Sequence, residues 1–216
     1  MHCVICGKEF QPWGVSGFDT CKECFFKQRE GIFWTGIPKG KRLKVLKSLE
    51  EAQDIFSDMW SAYIWGGVGV GKTTLAVNGL FWWRVEQFFK ESFANEYLFL
   101  QRGSLYSSLH IEYTIRSNLL SVENWIDELT KRELIVLDDF GSGSEAVRSD
   151  YIVDFWHTVI DEREKERIPT IITSNLSLEQ LRDVFGETIP SRIVGLVEDR
   201  IYHKEGEDYR LKGGEV

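Results

Sequence analysis

Apolar positions along the chain follow two alternating rhythms. Short β-prone runs fall near 62–66, 97–101, 134–138 and 170–174, and a last one falls near 199–203 or 207–211. Uninterrupted apolar runs of this length are what strands covered on both faces look like. Longer stretches with helical spacing separate them, near 72–90, 103–119, 145–165 and 177–185. Residues 39–60 read as an amphipathic lead-in helix. Strand and helix in alternation predict an α/β fold, a parallel sheet with helices on both faces. Trp82, Trp83, Phe88 and Phe89 recur at helical spacing and read as packing residues. The polar run from Asp161 to Arg167 reads as a solvated helix end.

The first strand runs directly into Gly66-Gly67-Val68-Gly69-Val70-Gly71-Lys72-Thr73-Thr74. This is G-x-x-x-x-G-K-T between a strand and a helix, the context that a phosphate-binding loop requires. Its glycines let the backbone curl until successive N–H groups face phosphate oxygens, and the next helix adds its positive end. Lys72 is placed to reach the β- and γ-phosphates of ATP, and the Thr73 hydroxyl to ligate Mg²⁺. The strand near 134–138 ends in Asp138-Asp139, 66 residues after Lys72. Acids at the carboxyl edge of a parallel sheet stand where ligands bind. Asp138 is the candidate magnesium acid, acting through water, and Asp139 the candidate that orients the attacking water. The strand near 170–174 leads to Asn175, whose amide can bond that water and the γ-phosphate or can cap the following helix. Arg192, in Ser191-Arg192-Ile193, is a candidate for reaching a neighbouring subunit's γ-phosphate; the alternative is a surface helix arginine.

All four cysteines lie in the first 24 residues, as Cys3-x2-Cys6 and Cys21-x2-Cys24. Two such pairs aim four thiolates at one point, which suits structural zinc and leaves no position for a reactive water. Disulfides are disfavoured in a reducing cytosol, and the first residues lack the layout of a secretion signal. His2 is a bystander beside this set. Phe10, Trp13, Phe18, Phe25 and Phe26 read as a miniature core for the module, with base stacking as the alternative. The expected location is cytoplasmic, with no membrane partner, since no long uncharged apolar run is present.

Net charge is −8, but residues 1–47 carry nine basic and four acidic side chains. An acidic body with a basic front excludes wrapping of DNA over the whole surface. Lys39, Lys41, Arg42, Lys44 and Lys47 form either a solvated linker face or a local nucleic-acid contact. Domain boundaries follow: a zinc module over 1–30, a linker with its lead-in helix over 31–60, and an ATPase core over 61–216. Only 41 residues follow Asn175, so a helical lid is expected to be reduced or absent. His110, His157 and His203 have no partner pattern.

Residues 62–210 resemble bacterial replicative helicase loaders of the DnaC/DnaI type, which are AAA+ P-loop ATPases. They also resemble the related IstB-type helper ATPases of transposition. The resemblance rests on GGVGVGKTTLA, LIVLDDFG, DEREKERIPTIITSNLSLEQL, SRI at 191–193 and EDYR at 207–210. It implies an ATP switch that binds a ring-shaped replicative helicase and delivers it onto single-stranded DNA, and that assembles as a homo-oligomer when ATP-bound. The family's phosphate-loop lysine falls on Lys72, its magnesium acid on Asp138, its sensor on Asn175 and its arginine finger on Arg192. Two other readings stand beside it: a transposition helper acting on duplex DNA, and a zinc-containing adaptor that binds ATP with negligible hydrolysis. The larger loaders have a longer helicase-binding region in front of the core, whereas here about 60 residues including the cysteine module precede it.

Overall fold

A computed structural model describes residues 1–11, 19–28, 33–34, 36–37, 39, 49–56, 59–90, 102–118, 121–143 and 149–208. Its elements in chain order are α1 (Lys22–Gln28), α2 (Leu49–Phe56), β1 (Ala62–Trp65), α3 (Lys72–Lys90), β2 (Gly103–Ser107), α4 (Ser108–Ser117), α5 (Val122–Lys131), β3 (Leu134–Asp138), α6 (Asp150–Lys165), β4 (Thr170–Ser174), α7 (Leu178–Phe185), α8 (Thr188–Val197) and β5 (Ile201–His203). The strands form one five-stranded sheet in the order β2-β3-β4-β1-β5, with every pairing parallel. The parallel sheet covered on both faces is therefore as the alternation predicts.

The period of two along each strand divides the core. Ala62 and Ile64, Leu134 and Val136, and Ile171 face one cluster with Leu75, Leu80 and Phe81 of α3. Tyr63, Ile135, Leu137 and Ile172 face the other, with Trp156 and Ile160 of α6 and Ile193 of α8. All of these are fully or almost fully buried.

Four expectations need correction. The second strand is Gly103–Ser107, where a helix over 103–119 is expected; that helix begins only at Ser108. Residues 97–101 lie outside the described residues. Glycine selects the position of β2, because a Cβ on Gly103 would come within 2.8 Å of the Trp83 ring and 3.0 Å of Leu80. Close packing on α3 thus outweighs the weak strand propensity of a Gly-Ser start. Next, α5 is a helix that the hydrophobic pattern does not announce. It is amphipathic but short, with Leu129 alone fully buried. The run from Asp161 to Arg167 is also not simply solvated, because Arg163 is completely buried. Its guanidinium donates to Thr170 Oγ1 at 2.7 Å and to the carbonyls of Leu129 at 2.5 Å, Arg132 at 2.9 Å and Pro169 at 2.6 Å. One cation in this way ties the ends of α5 and α6 to the start of β4, and burial draws its pKa down to about 9. Finally, the expected lead-in helix over 39–60 is helical at Leu49–Phe56 but not at 59–60, and residues 40–48 and 57–58 lie outside the described residues.

Among the described residues, Phe25 packs on α3 rather than in a miniature core of the N-terminal module. Phe25 is fully buried in the cluster that contains α3, and its ring lies 6.0 Å from Phe33. Phe33 lies 5.7 Å and Trp34 4.8 Å from Phe81, centroid to centroid. Buried Arg84 fixes this join by donating to the Phe33 carbonyl at 2.9 Å and the Gly103 carbonyl at 2.7 Å. Phe10 is half-buried, the Phe26 side chain is not described, and Trp13 and Phe18 lie outside the described residues. Of the basic stretch, Lys39 is exposed and Lys41, Arg42, Lys44 and Lys47 lie outside those residues.

Candidate functional site

Three strand ends meet at the carboxyl edge of the sheet. β1 delivers the glycine-rich loop, β3 delivers Asp138 and Asp139, and β4 delivers Thr173, Ser174 and Asn175. The loop turns back into α3, which begins at Lys72 with Thr73 and Thr74 half-buried in its first turn. Of the loop residues, Val68 is 57% exposed and Val70 is buried at 3%. The Lys72 side chain, only 5% exposed, donates to the carbonyls of Gly66 at 2.9 Å and Gly67 at 2.6 Å and to Asn175 Oδ1 at 2.8 Å. Lys72 and Asn175, separated by 103 residues, are thus in direct contact.

The capping reading of Asn175 does not hold, because another residue caps α7. The cap of α7 is Ser177, in a reciprocal pair: Ser177 Oγ accepts from the Gln180 N–H at 3.2 Å, and the Ser177 N–H donates to Gln180 Oε1 at 2.8 Å. Asn175 is left with its amide oxygen on the lysine. Its loop is held from the sheet side by Tyr63, whose hydroxyl donates to the Leu176 carbonyl at 2.7 Å.

Thr173 organises the two acids. Its hydroxyl donates to Asp138 Oδ1 at 2.7 Å and accepts the Asp139 N–H at 3.1 Å. The Phe140 N–H donates to the Thr173 carbonyl at 2.8 Å, and Ser174 Oγ donates to the Phe140 carbonyl at 2.6 Å. Asp139 has φ of 56°, a left-handed conformation that an aspartate tolerates better than a branched residue. The chain therefore turns sharply between the two acids. Thr173 is the candidate-site side chain that sequence reasoning passed over; its signal was a hydroxyl near the carboxyl end of a buried strand.

Arg192 is not among the residues gathered here. It stands on α8, where it donates to Glu164 Oε2 at 2.8 Å and lies 3.2 Å from Asp161 Oδ1, both on α6. Lys165, and then Arg192, hold the Asp161 carboxyl below its usual range.

At the other end of the chain the four cysteines converge. Their sulfur atoms all lie within 4.8 Å of one another, and Cys6 Sγ is 3.7 Å from Cys21 Sγ. A tetrahedron with bonds of about 2.3 Å has edges of about 3.8 Å, so the donor set fits zinc. The first knuckle is closed by the Gly7 N–H donating to the Cys3 carbonyl at 2.8 Å and the Cys3 N–H to Lys8 at 2.9 Å. The second pair straddles the start of α1. Burial works to raise the Cys3 thiol, but N–H groups of Cys21, Cys6 and Ile5 bring it down to about 6. Burial and the three other sulfurs push Cys24 up to about 12. Four sulfurs so close share charge poorly without a cation among them. His2 takes no part, its ring nitrogen lying 3.3 Å from the Gly7 carbonyl.

The strand order, the loop and the acid pair together define the AAA+ P-loop fold. Solved structures agree. The chain superposes on DnaI with a TM-score of 0.50 and 22% identity, over 76% of this chain and 82% of that one. It superposes on the DnaC helicase loader with a TM-score of 0.52 and 21% identity, over 76% and 87%. A replication initiator DnaA bound to AMPPCP and single-stranded DNA matches with a TM-score of 0.52 and 16% identity; 80% of this chain covers 48% of that one. No protein-family model and no curated protein matches the chain. No helix among the described residues is long and apolar enough to cross a membrane.

Proposed function

We propose that the chain is an ATP-driven helicase loader of replication initiation. The observation that carries this reading is the Lys72–Asn175 contact at 2.8 Å, beside Asp138 and Thr173 at the edge of the sheet. A lysine on a phosphate loop and an amide from a neighbouring strand end then grip the same γ-phosphate from two sides. In this reading the backbone of Gly66–Thr74 cradles the phosphates, and Thr73 and Asp138 hold Mg²⁺. Asp139 orients the water. An aspartate reaches less far than a glutamate, so hydrolysis by the protein alone is slow. Arg192 acts in trans on the site of the next subunit, which makes the active form a homo-oligomer. The four cysteines hold one structural zinc.

The loader reading, with single-stranded DNA and a replicative helicase as partners, is supported by the fold shared with DnaI and DnaC and by the sequence resemblance. The test is phosphate release by purified protein alone, with single-stranded DNA, with duplex DNA, and with a replicative helicase. Slow basal turnover should rise with single strands and helicase together. Arg192→Ala should leave MgATP binding intact while lowering stimulated turnover by on the order of a thousandfold, as other arginine fingers do. Stimulation by duplex alone would favour a transposition helper. No turnover in any mixture would favour a nucleotide-binding adaptor.

A further inference from the structure

The segment after β5 stays on the phosphate loop. The Lys204 N–H donates to the Trp65 carbonyl at 2.7 Å, which carries the β1–β5 pairing one step beyond the strands. The Lys204 carbonyl then presses on Gly66, where an added Cβ would stand 2.2 Å from its oxygen. Four residues further on, the Asp208 carboxylate lies on Gly69, at the middle of the loop. A Cβ there would stand 1.8 Å from Asp208 Oδ1 and 2.1 Å from its Cγ. Between these two points Glu205, Gly206 and Glu207 are exposed, while Lys204 and Asp208 are half-buried. The segment is thus a strap that touches down at both ends and bows outward between them. Gly206 sits nearest to Val70, 3.9 Å from an added Cβ to that side chain.

Two consequences follow from chemistry. Gly69 has φ of 75°, so a side chain there is strained on backbone grounds as well. The contact with Asp208 adds a second reason for glycine. More important, the loop's curled N–H groups attract anions, and the strap brings the Asp208 carboxylate onto the middle of the loop, while the exposed Glu205 carboxylate lies 3.3 Å from His203 Nδ1. A triphosphate entering the loop meets like charge at close range, where such repulsion is strong.

We propose that residues 204–208 form a strap that regulates nucleotide entry: Asp208 seated on Gly69 opposes the triphosphate, and binding of MgATP lifts it. This rests on the phosphate-loop reading above but is separable from it. The strap closes one nucleotide site by a segment of the same subunit, so it acts without any neighbour. If it is seated nine times in ten, the apparent affinity for MgATP is about tenfold below that of the open loop.

The experiment is calorimetric titration of wild type, Asp208→Asn and Asp208→Ala with MgATP, together with hydrogen exchange of residues 204–208 with and without nucleotide. Both variants should bind about tenfold more tightly, and exchange in the strap of the wild type should rise when MgATP is added. Unchanged or weaker binding by the variants, or exchange that slows, overturns the strap; weaker binding would show that Asp208 helps to hold the nucleotide. If neither wild type nor variants bind, the phosphate-loop reading falls and the strap with it. Binding by wild type that the variants merely match removes the strap alone.

Discussion

Four sulfur atoms converge at the N-terminus, and four polar side chains converge at the edge of the sheet, but the two centres are built differently. The cysteines come from 22 consecutive residues, and their sulfurs crowd to within 4.8 Å of one another. Lys72, Asp138, Thr173 and Asn175 come from three strand ends, the first and last of these residues 103 positions apart, and they pair with one another directly. On the zinc reading proposed above, the first centre takes its shape from a metal. The second is shaped by the fold before any ligand arrives, which is the property electrostatic catalysis requires.

That contrast can be broken from either side. The largest effect is expected from Cys21→Ser or a strong chelator. Either should release one equivalent of zinc and leave residues 1–28 open to protease, since structural zinc supplies on the order of 10 kcal/mol of local folding free energy. MgATP affinity should change little. Metal analysis, limited proteolysis and nucleotide titration on one sample check this, and a parallel collapse of ATP binding would erase the distinction. Lys72→Ala should do the reverse: zinc content stays, and MgATP binding weakens by about a hundredfold, near 3 kcal/mol for a buried cation that loses its anionic partner. The smallest effect belongs to Thr173→Val. It removes one donor from Asp138 and one acceptor from Asp139, worth about 1–3 kcal/mol. Phosphate release should fall about tenfold while zinc content and nucleotide affinity hold.

Sequence reasoning reached the two centres unequally for the same reason. Gly66 to Thr74 and the four cysteines are contiguous motifs, and each residue's part is set by its immediate neighbours. The strand ends at Asp138 and Asn175 were legible because buried parallel strands announce themselves by apolar runs. What was hidden depended on contacts across the sheet. Gly103 starts a strand because Trp83 and Leu80 leave room for no side chain, and nothing in Gly-Ser-Leu-Tyr-Ser reports that. Arg163 sits in a run of charges that looks solvated, yet four backbone and side-chain acceptors, from the end of α5 and the start of β4, enclose it. Asn175 stands in the sequence where it could cap the next helix, and only Ser177 at the cap, with Lys72 against the Asn175 amide oxygen, excludes that.

One further property comes from Arg84. It lies twelve residues beyond Lys72 on α3, about 18 Å along the axis, and from there grips the backbone of Phe33. One helix thus carries the lysine at its inner end and, partway along, the anchor of Phe33, so the phosphate loop and the N-terminal aromatics rest on a single shared support.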